Sequence, residues 1–280
     1  MSALLHQFDW YQATVHIAPE ALVQLLRQNL PENVLRTNGK GQNSFRHQAL
    51  LHDPDGEVYC SVQHGGVNPF PNAKATSDHA PALAAVLREC LSDRHRVSRL
   101  DVAVDYRGEG CFDDSVRLLG RVARKHGVKG KKILPDDPDD GATYYLGSPS
   151  SDLRLRCYEK GKELYAKTGD PVWKNFFDWT RMELQVRPKK DFKERAATME
   201  PEAFWGCSPW TRAIASGVFD MSPDPVSIKR TRIADHDRAM NFLIAQYGPT
   251  ILRQVEKLGG WNELAEDLRA RLTASESVAA

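Results

Sequence analysis

Apolar and polar residues alternate with period two in three stretches of the chain, and each stretch predicts a strand of the same design. Over 97–106 (VSRLDVAVDY), Leu100, Val102 and Val104 fall on one side, and Arg99, Asp101, Ala103 and Asp105 on the other, because successive side chains of a strand point to opposite faces. Over 153–160, Leu153, Leu155 and Cys157 alternate with Arg154, Arg156, Tyr158 and Lys160. Over 180–187 (TRMELQVR), Met182, Leu184 and Val186 alternate with Arg181, Glu183, Gln185 and Arg187, and Pro188 ends the run. An apolar back with a charged front suits an antiparallel sheet buried on one side only. If the three strands share that sheet, their charged groups meet on its open face.

Weaker patterns fill in the rest. Residues 8–17 predict a first strand, followed by a helix opened by Pro19 with Leu22, Leu25, Leu26 and Leu30 at helical spacing. Thr37 to Ser44 reads as a Gly-Asn loop. Phe45 to Leu51 and Glu57 to His64 read as a hairpin about Asp53-Pro54-Asp55-Gly56. Residues 67–77 read as loop. Asp78 is the expected N-cap of a helix carrying Leu83, Val86, Leu87, Cys90 and Leu91, and Asp113 the expected cap of another, with Val116, Leu119 and Val122 inward and Gly127 as its stop. Thr143 to Leu146 is a short strand before the turn formers Gly147 to Ser151. Trp173 to Trp179 is aromatic-rich, suited to core packing or to stacking on bases. Pro223 and Pro225 mark a linker. From Ile228 the pattern is helical, with a stripe of Ala239, Phe242, Leu243 and Tyr247, further stripes ending at Leu272, and a frayed tail over 273–280. The fold class expected is α+β: an antiparallel β-sheet with helices on one face over 1–222, plus a helical C-terminal module over 223–280.

Composition limits the function classes. The chain has 280 residues, 41% of them apolar, and a formal net charge of +1. No global field marks a nucleic-acid binder, so such a footprint must be local. Residues 121–132 are basic and 136–140 acidic, both expected to face solvent. The five cysteines are scattered, with no C-x-x-C pair, which argues for reduced thiols and a cytoplasmic protein and against a disulfide framework or zinc ribbon. Neither a signal-peptide pattern nor a membrane-length apolar run is expected from this sequence.

Two groups carry candidate chemistry. Tyr158 shares its strand face with Arg154, Arg156 and Lys160. A phenol is a poor nucleophile at its ordinary pKa of about 10, and neighbouring cations favour the phenolate and hold a phosphate. Asp101 and Asp105 stand at i and i+4 in a strand, where Asp is depleted. They read either as hard oxygen ligands for Mg²⁺ or Mn²⁺ or as salt-bridge partners of nearby arginines. Together with Glu183, the open face offers a set suited to metal-assisted phosphoryl transfer.

Four motifs then come in order: R-x-D-x-A-x-D at Arg99 to Asp105, Y-L-G-S at Tyr145 to Ser148, R-x-Y-x-K at Arg156 to Lys160 and R-x-E at Arg181 to Glu183. This order resembles the rolling-circle replication initiation factors, the branch shared by staphylococcal plasmid initiators and filamentous-phage initiation factors. The stretch DHDRAMNFLIAQYGPTI resembles the phage-type members. The resemblance implies a relaxase-like nicking domain. Tyr158 would attack the scissile phosphate, leaving a 5′-phosphotyrosine and a free 3′-hydroxyl. Asp101 and Glu183 would hold Mg²⁺ or Mn²⁺, with Asp105 second. Lys160 would stabilise phosphate charge, and Arg99, Arg154, Arg156, Lys162 and Arg181 would hold DNA. The implied partner is single-stranded or hairpin origin DNA; a host helicase or polymerase and a second copy of the chain are further candidates. The sequence lacks the His-x-His pair of better-known relaxases. His64, at a strand end, reads as a structural histidine or an added imidazole ligand. Tyr144, Tyr145 and Tyr165 are all available as a second tyrosine. Competing readings are a non-catalytic DNA-binding regulator and a metal phosphodiesterase that uses water.

Overall fold

The computed structural model describes residues 4–30, 35–228 and 235–276. The chain divides into two compact units, Met1–Lys229 and Arg230–Ala280. The first holds strands β1 (His6–Val15), β2 (Leu35–Lys40), β3 (Phe45–His52), β4 (Val58–Gly66), β5 (Asn72–Thr76), β6 (His95–Arg107), β7 (Gly130–Ile133), β8 (Thr143–Leu146), β9 (Leu153–Glu159) and β10 (Trp179–Val186). Its helices are α1 (Pro19–Asn29), α2 (Ala80–Leu91), α3 (Cys111–His126), α4 (Lys160–Thr168), α5 (Phe192–Arg195) and α6 (Pro209–Phe219). The second unit is a pair of contacting helices, α7 (Asp235–Leu258) and α8 (Trp261–Glu276).

All ten strands join one sheet in the order β2-β3-β4-β5-β1-β6-β10-β9-β8-β7, and every pairing is antiparallel. The three alternating strands β6, β10 and β9 lie side by side. Their backs, Leu100, Val102, Val104, Leu153, Leu155, Cys157, Met182, Leu184 and Val186, are buried with Tyr11, Ala13 and Val15 of β1 in one apolar core. Helices α1, α2, α3 and the 3-10 segment Pro201–Cys207 cover that side. Helix α3 ends at Gly127, whose φ of 64° gives the left-handed cap that its sequence predicted.

The structure corrects several local expectations. Residues 37–40 of the expected loop belong to β2, whose Asn38-Gly39 is held by the β3 ladder. The turn is confined to 41–44, with Asn43 and Ser44 at positive φ. Residues 72–76 of a second expected loop form β5, seated between β4 and β1 by its small buried Ala73 and Ala75. Asn, Ala and Lys all carry little strand propensity, so packing decides it. Asp78 does not cap α2, which starts at Ala80 after a 3-10 turn and has no side-chain cap. Asp113 lies in the first turn of α3, after Gly110. Lys160 begins α4 instead of ending β9. Of the C-terminal stripe, Leu243 and Tyr247 are exposed. The side chains of Ala239, Phe242 and Leu272 and the tail 277–280 lie outside the described residues.

Candidate functional site

Register places the charged fronts in rows across the open face. Trp10, Asp101, Gln185 and Arg154 form one row. Ala103, Glu183, Arg156 and Tyr145 form the next. Asp105, Arg181, Tyr158 and Thr143 form a third. A cleft of about 310 Å³ opens over the first two rows, lined by Asp9, Trp10, Arg99, Asp101, Tyr145, Arg154, Arg156, Glu183 and Gln185. A larger groove of about 790 Å³ between α3 and α6 has one carboxylate, Asp114, so volume and chemistry do not coincide.

Tyr158 is only 3% exposed. Its hydroxyl donates to Glu183 Oε1 at 2.6 Å, and the Arg156 guanidinium lies 4.3 Å from its ring centre. Burial, and then the Glu183 carboxylate, push the phenol well above its ordinary value, against the opposing Arg156 and Arg181. The expected phenolate is thereby corrected: cations surround the ring, but the hydroxyl faces a carboxylate in a dry site.

Each carboxylate in the cleft has an arginine. Arg99 grips Asp101 at 3.0 and 2.6 Å. Arg156 reaches Glu183 at 2.7 and 2.9 Å. Arg181 bridges Asp9 at 2.9 Å and Asp105 at 2.7 and 2.6 Å. Asp105 also accepts the Trp179 indole N–H at 2.7 Å; it does not line the cleft. Burial raises Asp101 despite its arginine. Burial, Glu183 and Asp101 hold Asp9 up at about 6, against Arg181 and Lys160.

The remaining cations divide. Lys160 pairs with Glu163 at 2.7 Å and Lys162 with Glu159 at 2.9 Å; neither lines the cleft, and Lys160 Nζ lies 5.7 Å from the Tyr158 ring centre. Arg154 lies 4.2 Å over the Tyr145 ring, and its Nε is buried without a hydrogen-bond partner. His64 faces His47 across β3–β4, ring centres 5.4 Å apart, three strands away from β6. Of the candidate second tyrosines, Tyr145 alone lines the cleft; Tyr144 packs against the core and Tyr165 meets Phe177.

Asp9 is the residue that sequence reasoning missed. Strict alternation with Tyr11, Ala13 and Val15 aims it at the core. A bulge between Phe8 and Trp10 breaks that period and brings Asp9 to the cleft with Trp10. The signal present was an Asp inside a strand.

In fold, the chain is similar to a solved structure described as a rolling circle replication initiator protein from Geobacillus stearothermophilus, at TM-score 0.53 and 18% identity, over 81% of this chain and 100% of that one. Residues 95–194 match the model of the replication initiation factor family, a span running from the first residue of β6 through β9 and β10 into α5. That span, about a third of the chain, contains the R-x-D-x-A-x-D, Y-L-G-S, R-x-Y-x-K and R-x-E motifs. No curated protein matches the chain. Among the described residues, no helix is long and apolar enough to cross a membrane.

Proposed function

We propose that this chain nicks one strand of origin DNA by attack of the Tyr158 phenol on a backbone phosphate. The observation that carries the reading is the Tyr158–Glu183 hydrogen bond of 2.6 Å, set beside the cleft that holds Asp101, Asp9 and three arginines. A buried phenol with a raised pKa needs a base within reach, and Glu183 is that base. As Tyr158 Oη bonds to phosphorus, its proton passes to Glu183. The bond from phosphorus to the 3′-oxygen breaks, and that oxygen leaves as the 3′-hydroxyl after taking up a proton. The protein is left on a 5′-phosphotyrosine. Arg99, Arg154 and Arg156 hold the DNA phosphates, Arg181 fixes the cleft wall through Asp9 and Asp105, and Lys160 and Lys162 serve DNA lying beyond the cleft.

The carboxylates of Asp101, Glu183 and Asp9 are hard oxygen donors in one cleft, and burial first, then the neighbouring carboxylates, hold Asp9 up at about 6. This donor chemistry fits Mg²⁺ or Mn²⁺. Among the described residues the carboxylates are not gathered as a ready metal group; their arginines hold them. A bound cation would neutralise charge on the scissile phosphate.

The burial of Tyr158 favours one second reading, a metal phosphodiesterase in which water attacks and Tyr158 only orients Glu183. Labelled single-stranded DNA with candidate origin hairpins, incubated with Mn²⁺ or EDTA and run on denaturing gels, separates the two. A Mn²⁺-dependent covalent band lost in Tyr158→Phe supports tyrosyl attack. Cleavage without a covalent band, retained in Tyr158→Phe, supports water. DNA binding with neither product supports a regulator.

A further inference from the structure

The cleft is balanced in charge: three carboxylates, Asp9, Asp101 and Glu183, face three guanidiniums, Arg99, Arg154 and Arg156. Two of those arginines spend their fork-shaped donors on carboxylates, Arg99 on Asp101 and Arg156 on Glu183. The same fork geometry suits a phosphate equally well. A cation entering alone meets three guanidiniums and finds its donors engaged. A phosphate entering alone meets three carboxylates. Each ligand cancels the charge that repels the other.

The arrangement also gives the exchange a starting point. Arg154 lines the cleft over the Tyr145 ring and has no ion pair among the described residues, so its guanidinium is not held by a carboxylate and offers the first contact for a phosphate. Arg99 has a second seat: its guanidinium lies 3.8 Å over the Trp10 ring, which holds it at the cleft by cation–π attraction after it leaves Asp101.

Resting on the nicking reading above, we infer that DNA phosphate and the divalent cation load this cleft interdependently: phosphate draws Arg99 and Arg156 off Asp101 and Glu183, and the freed carboxylates then take the cation. Thermodynamic linkage makes the effect reciprocal. The test uses the full chain carrying Tyr158→Phe, so that no covalent step intervenes. Mn²⁺ binding is followed by the loss of the free-ion EPR signal, with and without a saturating fluorescein-labelled single strand, and corrected for Mn²⁺ taken up by the DNA alone. The Mn²⁺ Kd is expected to tighten by about 5- to 150-fold with DNA, the usual span of such coupling, and the DNA Kd, read by anisotropy, by the same factor with Mn²⁺. Arg99→Gln is expected to tighten Mn²⁺ binding to the DNA-free protein and to shrink the coupling. A Mn²⁺ Kd unchanged by DNA overturns the inference, as does coupling that Arg99→Gln leaves intact. The nicking reading falls separately: a covalent adduct of the Tyr158 chain without coupling overturns only the inference, and coupling without cleavage overturns only the reading. A strand that does not bind at all overturns both.

Discussion

Glu183→Gln isolates what the carboxylate does to Tyr158. The substitution keeps the shape and an oxygen acceptor but removes the charge. In the folded chain, burial and the Glu183 carboxylate both hold the phenol above its ordinary pKa. A hydrogen bond to a charged group contributes about 1.5–3 kcal/mol, and one pH unit corresponds to about 1.4 kcal/mol. The variant phenol should therefore titrate about one to two pH units lower than in the wild type, yet above 10, because burial remains. Stability should also fall. Removing one partner of a fully buried pair costs about 3–5 kcal/mol, but the Arg156 side chain is 38% exposed, so about 2 kcal/mol is the expected loss. Ring-carbon NMR of ¹³C-labelled tyrosine, assigned with Tyr158→Phe, reads the titration, and urea unfolding reads the stability. The linkage has a definite sign. A phenol raised in the folded state stabilises below the unfolded value of about 10, and this contribution is lost as pH rises through the folded value. The wild type should thus go on losing stability to higher alkaline pH, and lose more in total, than Glu183→Gln. A Tyr158 resonance that titrates near 10 in the wild type, or at the same pH in both proteins, refutes the reasoning.

Gly161→Ala places a Cβ 1.8 Å from the Phe176 carbonyl oxygen; it should destabilise by about 1–3 kcal/mol in urea unfolding, as overpacking does. Two buried histidines should make the fold acid-sensitive: burial lowers the pKa of both His6 and His95. His6 Nδ1 accepts the Trp205 N–H at 3.1 Å, and His95, with its Nδ1–H given to Leu91 O, accepts the Tyr11 hydroxyl at 3.0 Å. Their neutral forms stabilise at pH 7, so Tm should fall as pH drops below 6.5, and a His95→Gln variant should show a shallower fall. Thiol alkylation followed by peptide mapping should modify exposed Cys90 first and spare Cys60, Cys157 and Cys207, which are buried and pushed up to about 12 by that burial, until the chain unfolds.

The period-two pattern was enough to read β6, β9 and β10, because a sheet covered on one side forces alternation. It therefore also read the shared face of Asp101, Glu183, Arg156 and Tyr158. It could not read Asp9, since a bulge moves a side chain across the sheet without changing the sequence pattern. It could not tell a phenol beside cations from a phenol aimed at a carboxylate, because Arg156 and Glu183 compete for the same few ångströms and only packing decides. Lys160 looked like a strand residue until Gly161 let the chain turn into α4 against Phe176. The β2 and β5 strands were lost because neither Asn38-Gly39 nor Asn72-Ala73-Lys74-Ala75 carries strand propensity; their neighbours impose the ladder.

The most direct test of the central claim is to trap the covalent product and sequence the peptide that carries it. The full chain is incubated with origin-derived single-stranded DNA and Mn²⁺, the DNA is digested, and tandem mass spectrometry locates the nucleotide-modified residue. The account predicts a phosphonucleotide on Tyr158 Oη, joined through the 5′ side, with a free 3′-hydroxyl on the released strand. A modification on Tyr145 or another residue, or complete cleavage with every tyrosine unmodified, contradicts it.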